Sequence, residues 1–331
     1  MAKVSILIPA YKPHYLRNAL LTARQQTFTD IEILVGDDTP DAALEHIVRG
    51  VSDSRIQYFH HGFQKGTRNS RRLWERASGK YVKWLFDDDL LMPTSVETLV
   101  GALVANPASL LAFHGRVVID SSDTVTSVPP ALLKSGETAQ VDRSFLVQNM
   151  IGRINNFIGE PSNIMLDHER VDVSGIFDYR SFALHFLGDV AIYLNLSEQA
   201  PLVAVGGYLS AFRQHAGQSS NPNAPSFSAG LYEWELMVRG EAAAGHLAAS
   251  SLPAVQQTLS NLYSSHGAAL PEIERLRAHL NELTERPPQE LFVSERFQAD
   301  LAHARAAVEM RVAARNNALR AQLRRSEDVG N

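Results

Sequence analysis

The segment Tyr81–Pro93, YVKWLFDDDLLMP, constrains this chain more than any other. Val82, Trp84, Leu85 and Phe86 make the short apolar run of a strand buried on both faces. The run stops at Asp87, Asp88 and Asp89, and Pro93 suits the opening turn of a helix. Three carboxylates at the mouth of a buried strand repel one another unless a cation or solvent offsets them. A hard divalent ion whose shell is completed by substrate phosphates is one solution. An acidic turn in open solvent is the other, and DDD alone does not decide between them.

The neighbouring sequence supplies the context. Lys3–Pro9 (KVSILIP) has the pattern of a buried strand, and Leu16, Ala19, Leu20 and Ala23 follow at helical spacing. Ile31–Val35 forms a second strand pattern ending in Gly36-Asp37-Asp38. A helix near 41–48, a strand near 56–59 and a helix near 67–77 precede the strand that runs into the three Asp. A helix near 94–105 and a strand over 110–119 complete this half. Strands alternating with helices predict a parallel sheet with right-handed crossovers, in which ligands bind at the carboxyl ends of the strands. Tyr11, Asp38 and Asp87–Asp89 all fall at such ends, so they are expected to converge on one crevice.

Residues 121–140 are polar and carry Pro129-Pro130, which predicts a loop. A strand is expected in 155–165, a turn at 175–178, a helix from Gly188-Asp189 to Leu196, and edge strands at 202–205 and 208–213. Residues 217–230 have the composition of a mobile loop. From Leu231 onward the pattern is helical, broken at Pro287-Pro288. In the last helix Phe297, Val308 and Leu319 recur every eleven residues, as do Leu301, Val312 and Leu323. Arg305, Arg311, Arg315, Arg320, Arg324 and Arg325 make the remainder basic. A solvated face explains those arginines as well as a homodimer contact or a peripheral membrane contact does.

With 331 residues, 45% of them hydrophobic and 20% charged, the chain has the makings of an ordinary globular enzyme. A net charge of -5 argues against nucleic-acid binding. The absence of cysteine excludes disulfides, thiolate zinc sites and cysteine nucleophiles. The apolar run at the N-terminus is too short for a signal peptide, and no segment reaches the roughly 20 apolar residues of a membrane span. A cytoplasmic location is expected, with a peripheral position at the inner face of the membrane, through the C-terminal helices, as the alternative.

Taken in order, the segments VSILIPAYKPHYLRNALLTARQQTFTDIEILVGDD, RASGKYVKWLFDDDLLMP, GEPSNIM, GIFD and GDVAIYLNL resemble family 2 inverting glycosyltransferases of the GT-A fold. The resemblance covers about the first 220 residues. It implies an α/β, Rossmann-like, mostly parallel sheet flanked by helices, with a C-terminal helical extension. The expected division is a GT-A domain over 1–225 and a helical region over 226–331. Within the domain, residues 1–120 would bind the nucleotide-sugar and 121–225 the acceptor.

Residue by residue, the resemblance places Tyr11 against the nucleotide base and gives Pro9 backbone contacts. It makes Asp38 the acceptor of a pyrimidine ring N–H, favouring a UDP-sugar or a dTDP-sugar. Arg68, followed by Asn69, would touch base or diphosphate, unless its cluster with Arg71 and Arg72 is a solvated helix face. Asp88 aligns with the metal-binding carboxylate, with Asp87 beside the nucleotide and Asp89 in the shell of a Mn²⁺ or Mg²⁺ ion. Phe86 stands where many relatives have another Asp, which loosens the assignment of the flanking pair. His215, in FRQHAGQSS, would join the metal, and the loop after it would close over the donor.

Asp189 matches the catalytic base, with Asp178 and Glu160 as lesser alternatives. The implied reaction is inverting, metal-dependent transfer of a sugar to a hydroxyl of a glycan, lipid-linked or protein acceptor. A sugar nucleotidyltransferase would need a Gly-rich loop where Pro9–Pro13 stands, and a scaffold protein without catalysis would not need Asp38, Asp88 and Asp189 all intact. No G-x-S-x-G element supports nucleophilic hydrolysis.

Overall fold

The computed structural model describes residues 3–218 and 221–329, with side chains to residue 318 apart from Ala268. The chain forms two compact units, and they are not consecutive in sequence. The first comprises 1–143, 157–177 and 192–215, and the second 144–156, 178–191 and 216–331.

The first unit is built on a ten-stranded sheet. Its strands are β1 (Val4–Ala10), β2 (Ile31–Asp37), β3 (Ile56–His60), β4 (Tyr81–Trp84), β5 (Leu90–Leu91), β6 (Leu111–Ile119), β7 (Val125–Ser127), β8 (Thr138–Val141), β9 (Ile164–Asp167) and a twelve-residue strand Leu202–Arg213. Two small strands of the second unit, β10 (Asp178–Tyr179) and β11 (Phe182–Ala183), come before that long strand, which is therefore β12. The spatial order is β3-β2-β1-β4-β9-β6-β12-β5. β3, β2, β1 and β4 are parallel neighbours, β9 is antiparallel to both β4 and β6, and β12 is parallel to β6. All the long strands therefore point the same way, and their carboxyl ends share one edge.

The central strands β1, β2, β4 and β9 bury both faces because helices cover the sheet. α1 (Pro13–Arg24) opens with proline in its first turn and turns Leu16, Ala19, Leu20 and Ala23 into the core. α2 (Glu45–Arg49), α3 (Gly66–Trp74) and α4 (Ser95–Ala105) complete the crossovers. Gly79, just before β4, has a specific reason to be glycine. A Cβ there would lie 2.6 Å from the Ser5 amide nitrogen and 2.8 Å from the Lys3 carbonyl oxygen. Only a residue without a side chain lets β4 enter the sheet against β1.

Two expectations need correction. The segment 202–213 is one strand inside the sheet, paired with β6, β5 and β8, and not two edge strands. Gly206 and Gly207 sit at its register shifts, where a bulge lets one strand pass what reads in sequence as a break. Residues 121–140 are not all loop either, since β7 and β8 form there.

α5 (Arg143–Leu146) leads into the second unit, which holds the first turn of α6 (Gly188–Ser197) with Asp189 in it. The remaining helices are α7 (Phe227–Ala243), α8 (Leu252–His266), α9 (Pro271–Arg277), α10 (Glu282–Glu285), α11 (Pro288–Leu291) and α12 (Glu295–Val329). Of the eleven-residue stripe of α12, Phe297, Leu301 and Val308 are buried and Val312 is half-buried. Arg311 reaches the Pro225 carbonyl and the Ser228 hydroxyl and pairs with Glu272 at 2.6 Å. Leu319, Arg320, Leu323, Arg324 and Arg325 lie outside the described side chains. Among the described residues no helix is long and apolar enough to cross a membrane.

Candidate active site

The shared strand edge assembles an acidic cluster with Lys12 and His215. Asp87, Asp88 and Asp89 follow β4 and are all buried. Asp87 accepts from the backbone N–H groups of Tyr11 (2.6 Å) and Lys12 (2.7 Å), tying the end of β1 to the end of β4. Asp88 receives the Lys12 ammonium and the His215 imidazole on the same oxygen, Oδ2, the latter with Nε2 at 3.0 Å. Asp89, expected in a metal shell, is turned inward: Oδ2 accepts from the Ser162 hydroxyl at 2.6 Å and Oδ1 from the Arg213 amide at 3.1 Å.

These environments split three chemically identical groups. Burial raises the Asp87 carboxyl to about 6, against the pull of Lys12. Burial also pushes Asp88 up, but Lys12 and His215 more than compensate and hold it below the ordinary range. Burial and the neighbouring charges of Asp88 and Glu160 drive Asp89 well above it. Beneath the cluster, Lys83 is fully buried and donates to the Ser162 carbonyl at 2.9 Å. Burial pulls its ammonium down to about 7, with Asp89 acting against that.

Arg213 and Lys12 went unnoticed as site residues in the sequence. Arg213 ends β12 fully buried, donates through Nε to the Asp88 carbonyl (2.9 Å) and through Nη1 to the Asp120 carbonyl (2.9 Å), and lies 4.3 Å over the Tyr15 ring. It stands two residues before His215, so the FRQH segment carried a signal at Arg as well as at His. Lys12 lies directly after Tyr11, and only the DDD opposite gives it meaning.

The other nucleotide-site candidates sit at the same edge. Tyr11 leaves 38% of its surface exposed at the end of β1, just after the half-buried Pro9. Asp38 accepts from the N–H groups of Gln64 (2.9 Å) and Lys65 (2.8 Å). Gln64 takes a left-handed backbone with φ +52°, a conformation costly for glutamine that this carboxylate secures. Burial raises the Asp38 carboxyl despite those bonds. Arg68 is exposed and packs its guanidinium 4.1 Å over the Phe63 ring, while its neighbour Asn69 is buried and donates to the Gly36 carbonyl at 2.7 Å. Asn69 is therefore a scaffold residue.

In the second unit Asp189 is half-buried, with Oδ1 accepting from the Val190 amide (2.8 Å) and Oδ2 from the Asn156 side chain (2.7 Å). The turn leading to it is held by Glu233 of α7, which accepts from three consecutive amides: His185 (2.6 Å), Phe186 (3.1 Å) and Leu187 (2.7 Å). Of the lesser candidates, Glu160 of the first unit is paired with Arg116 at 2.8 Å, and Asp178 begins β10.

No group of three or more His, Asp or Glu side chains is poised to hold a metal among the described residues. Asp88 and His215 nevertheless converge, and they are a donor pair suited to an ion that keeps several sites for substrate oxygens. Lys12 shows that a cation is stable at that oxygen. A groove of about 720 Å³ between α4, the segment 135–140 and β12 has no charged side chain in its lining. It does not compete with the acidic edge as a seat for a charged ligand.

Comparison with known proteins agrees with this geometry. Residues 5–161 match the model of glycosyl transferase family 2. A GalNAc(5)-diNAcBac-PP-undecaprenol beta-1,3-glucosyltransferase of Campylobacter jejuni is 31% identical over 105 residues, which is 30% of this chain and 34% of that protein. The UDP-Glc:alpha-D-GlcNAc-diphosphoundecaprenol beta-1,3-glucosyltransferase WfgD of Escherichia coli is 26% identical over 129 residues, covering 38% of this chain and 51% of that protein. The chain thus spans between a third and about half of these two relatives. Among solved structures, residues 1–349 of TarS from S. aureus superpose with a TM-score of 0.58 at 14% identity, over 97% of this chain and 92% of that one. The same TarS fragment in complex with UDP-GlcNAc gives a TM-score of 0.55 at 13% identity, over 89% and 91%. At such identities the likeness concerns the fold. Sequence pattern, sheet order and the acidic strand edge agree: the chain has the GT-A fold, and its residues 5–161 carry the pattern of glycosyl transferase family 2.

Proposed function

We propose that this protein transfers a sugar from a UDP-sugar to an acceptor hydroxyl, with inversion at the anomeric carbon. The observation that carries this is the convergence of Asp88, Lys12 and His215 on one oxygen at the strand edge where Tyr11 and Asp38 also lie. Tyr11 offers an exposed ring to the base. Asp38 retains acceptor capacity beyond its two backbone bonds and reads a pyrimidine ring N–H, which a uracil or thymine base presents. Asp87 fixes the Tyr11–Lys12 turn that receives the nucleotide. A Mn²⁺ or Mg²⁺ ion held by Asp88 and His215 would neutralise the departing diphosphate. Asp189 takes the proton from the acceptor hydroxyl, which attacks from the face opposite the diphosphate. The names of the relatives make an undecaprenyl-diphosphate-linked glycan the acceptor class we favour.

Calorimetry of UDP with and without Mn²⁺ tests the donor site. In Asp88→Asn the metal-dependent part of the affinity should fall by roughly 30-fold or more. That is the low end, about 2 kcal/mol, of what loss of one partner costs a buried charge pair. Equal metal-dependent affinity in the variant would remove Asp88 from the site.

A further inference from the structure

We propose that Lys12 is an internal counter-ion that competes with the metal for Asp88 and is released to the donor diphosphate, so that donor and metal bind cooperatively. This rests on the donor site proposed above. Asp88 is nearly enclosed, its side chain 7% exposed, and its Oδ2 already receives both Lys12 and His215. Two donors occupy the lone-pair directions of this oxygen, so an ion that ligates Oδ2, the oxygen His215 already faces, must displace one of them. His215 can turn from donor to ligand as a neutral imidazole. Lys12 cannot do so, because an ammonium has three donors and no acceptor. Lys12 is therefore the group that leaves.

Its surroundings allow the move. The Lys12 backbone is pinned by Asp87 through its N–H, and Pro13 begins α1 immediately afterwards, so the motion is confined to the side chain. That side chain is 33% exposed, on a flexible four-carbon stem. It stays 3.9 Å from Asp87 Oδ1, a second carboxylate within reach. Before the donor arrives, the ammonium offsets the negative charge of the strand edge and weakens binding of a lone divalent ion. A diphosphate at the same edge gives Lys12 oxygen partners of its own, and Asp88 is then left to the metal. Each ligand thereby raises the other's affinity, and the coupling is reciprocal.

Binding of Mn²⁺ alone, followed by electron paramagnetic resonance of the free ion, and again with saturating UDP, tests this on the full chain. Lys12→Gln should tighten binding of Mn²⁺ alone by about tenfold or more, whereas Lys12→Arg, which keeps the cation, should not. UDP should strengthen Mn²⁺ binding several-fold more in the native protein than in Lys12→Gln. Matching melting curves would show that the variants are folded. If Lys12→Gln and the native protein bind Mn²⁺ equally and respond equally to UDP, Lys12 does not compete and the proposal is overturned, while the metal site stands. If neither binds Mn²⁺ even with UDP, the metal site itself is refuted and the role of Lys12 with it.

Discussion

Glu233 offers a quantitative test of how the segment ahead of Asp189 is held. Its carboxylate is completely buried in α7 and accepts three backbone N–H groups from 185–187. Those bonds favour the charged form and burial opposes it; burial prevails and raises the group from 4.5 to about 7. Between these values the folded protein holds a proton that the unfolded chain has released. Glu233 therefore contributes most stability at low pH, and that contribution is lost as pH rises through the window. A displacement of about 2.5 units corresponds to about 3 kcal/mol. Glu233→Gln keeps the shape but cannot titrate, so its pH profile should lack this component. Urea unfolding of both proteins at several pH values from 4.5 to 8 gives the difference directly. The stability difference should move in favour of the variant by about 3 kcal/mol across that range. A flat difference, or one moving the other way, would mean that the three amides outweigh burial and that Glu233 is a permanently charged anchor.

Asp189→Asn should leave UDP-sugar binding intact and lower turnover by about 10²–10⁴-fold, the usual cost of losing a general base; a variant that turns over at the native rate would move the role to Asp178 or Glu160. In competition experiments UDP and dTDP should displace bound donor better than GDP or ADP, and preference for a purine would sink the roles given to Tyr11 and Asp38. Removing residues 315–331 spares the buried Phe297, Leu301 and Val308, so the protein should stay folded. If the end of α12 mediates self-association or membrane contact, that deletion should abolish it in sedimentation or anionic-vesicle binding, and unchanged behaviour in both would end the idea.

Much of the first unit was legible because its strands are near-continuous apolar runs and its helices carry one apolar face. Both patterns are local. What escaped was set by partners distant in sequence. β12 looked like two edge strands because Gly206-Gly207 reads as a break, and only pairing with β6 shows that it is a bulge. β9 runs antiparallel between two parallel strands, which no periodicity encodes. The stripe of α12 was visible, but the surface that covers it belongs to other helices of the same unit. The acidic motif was legible as a motif. The division of labour inside it was not, since that depends on Lys12, Ser162, Arg213 and His215, each far from it in the chain.

That division follows from where the three carboxylates point. Asp87 spends itself on the amides of Tyr11 and Lys12, and Asp89 on Ser162 and the Arg213 amide. Each fastens a different strand end to β4: Asp87 secures β1, and Asp89 secures β12 together with the turn before β9. Asp88, between them, accepts from the side chains of Lys12 and His215 and, among the described residues, from no backbone amide. A carboxylate bonded to backbone can change partners only by moving the backbone, whereas one bonded to a lysine can exchange that cation for another. On the proposed reading, exchange of one cation for another at this edge falls to Asp88, while the two outer aspartates fix the frame. The buried Lys83 supports the same arrangement from below, because its bond to the Ser162 carbonyl steadies the residue whose hydroxyl holds Asp89. Three adjacent Asp at the end of one strand thus divide into two that fasten backbone and one held by side chains.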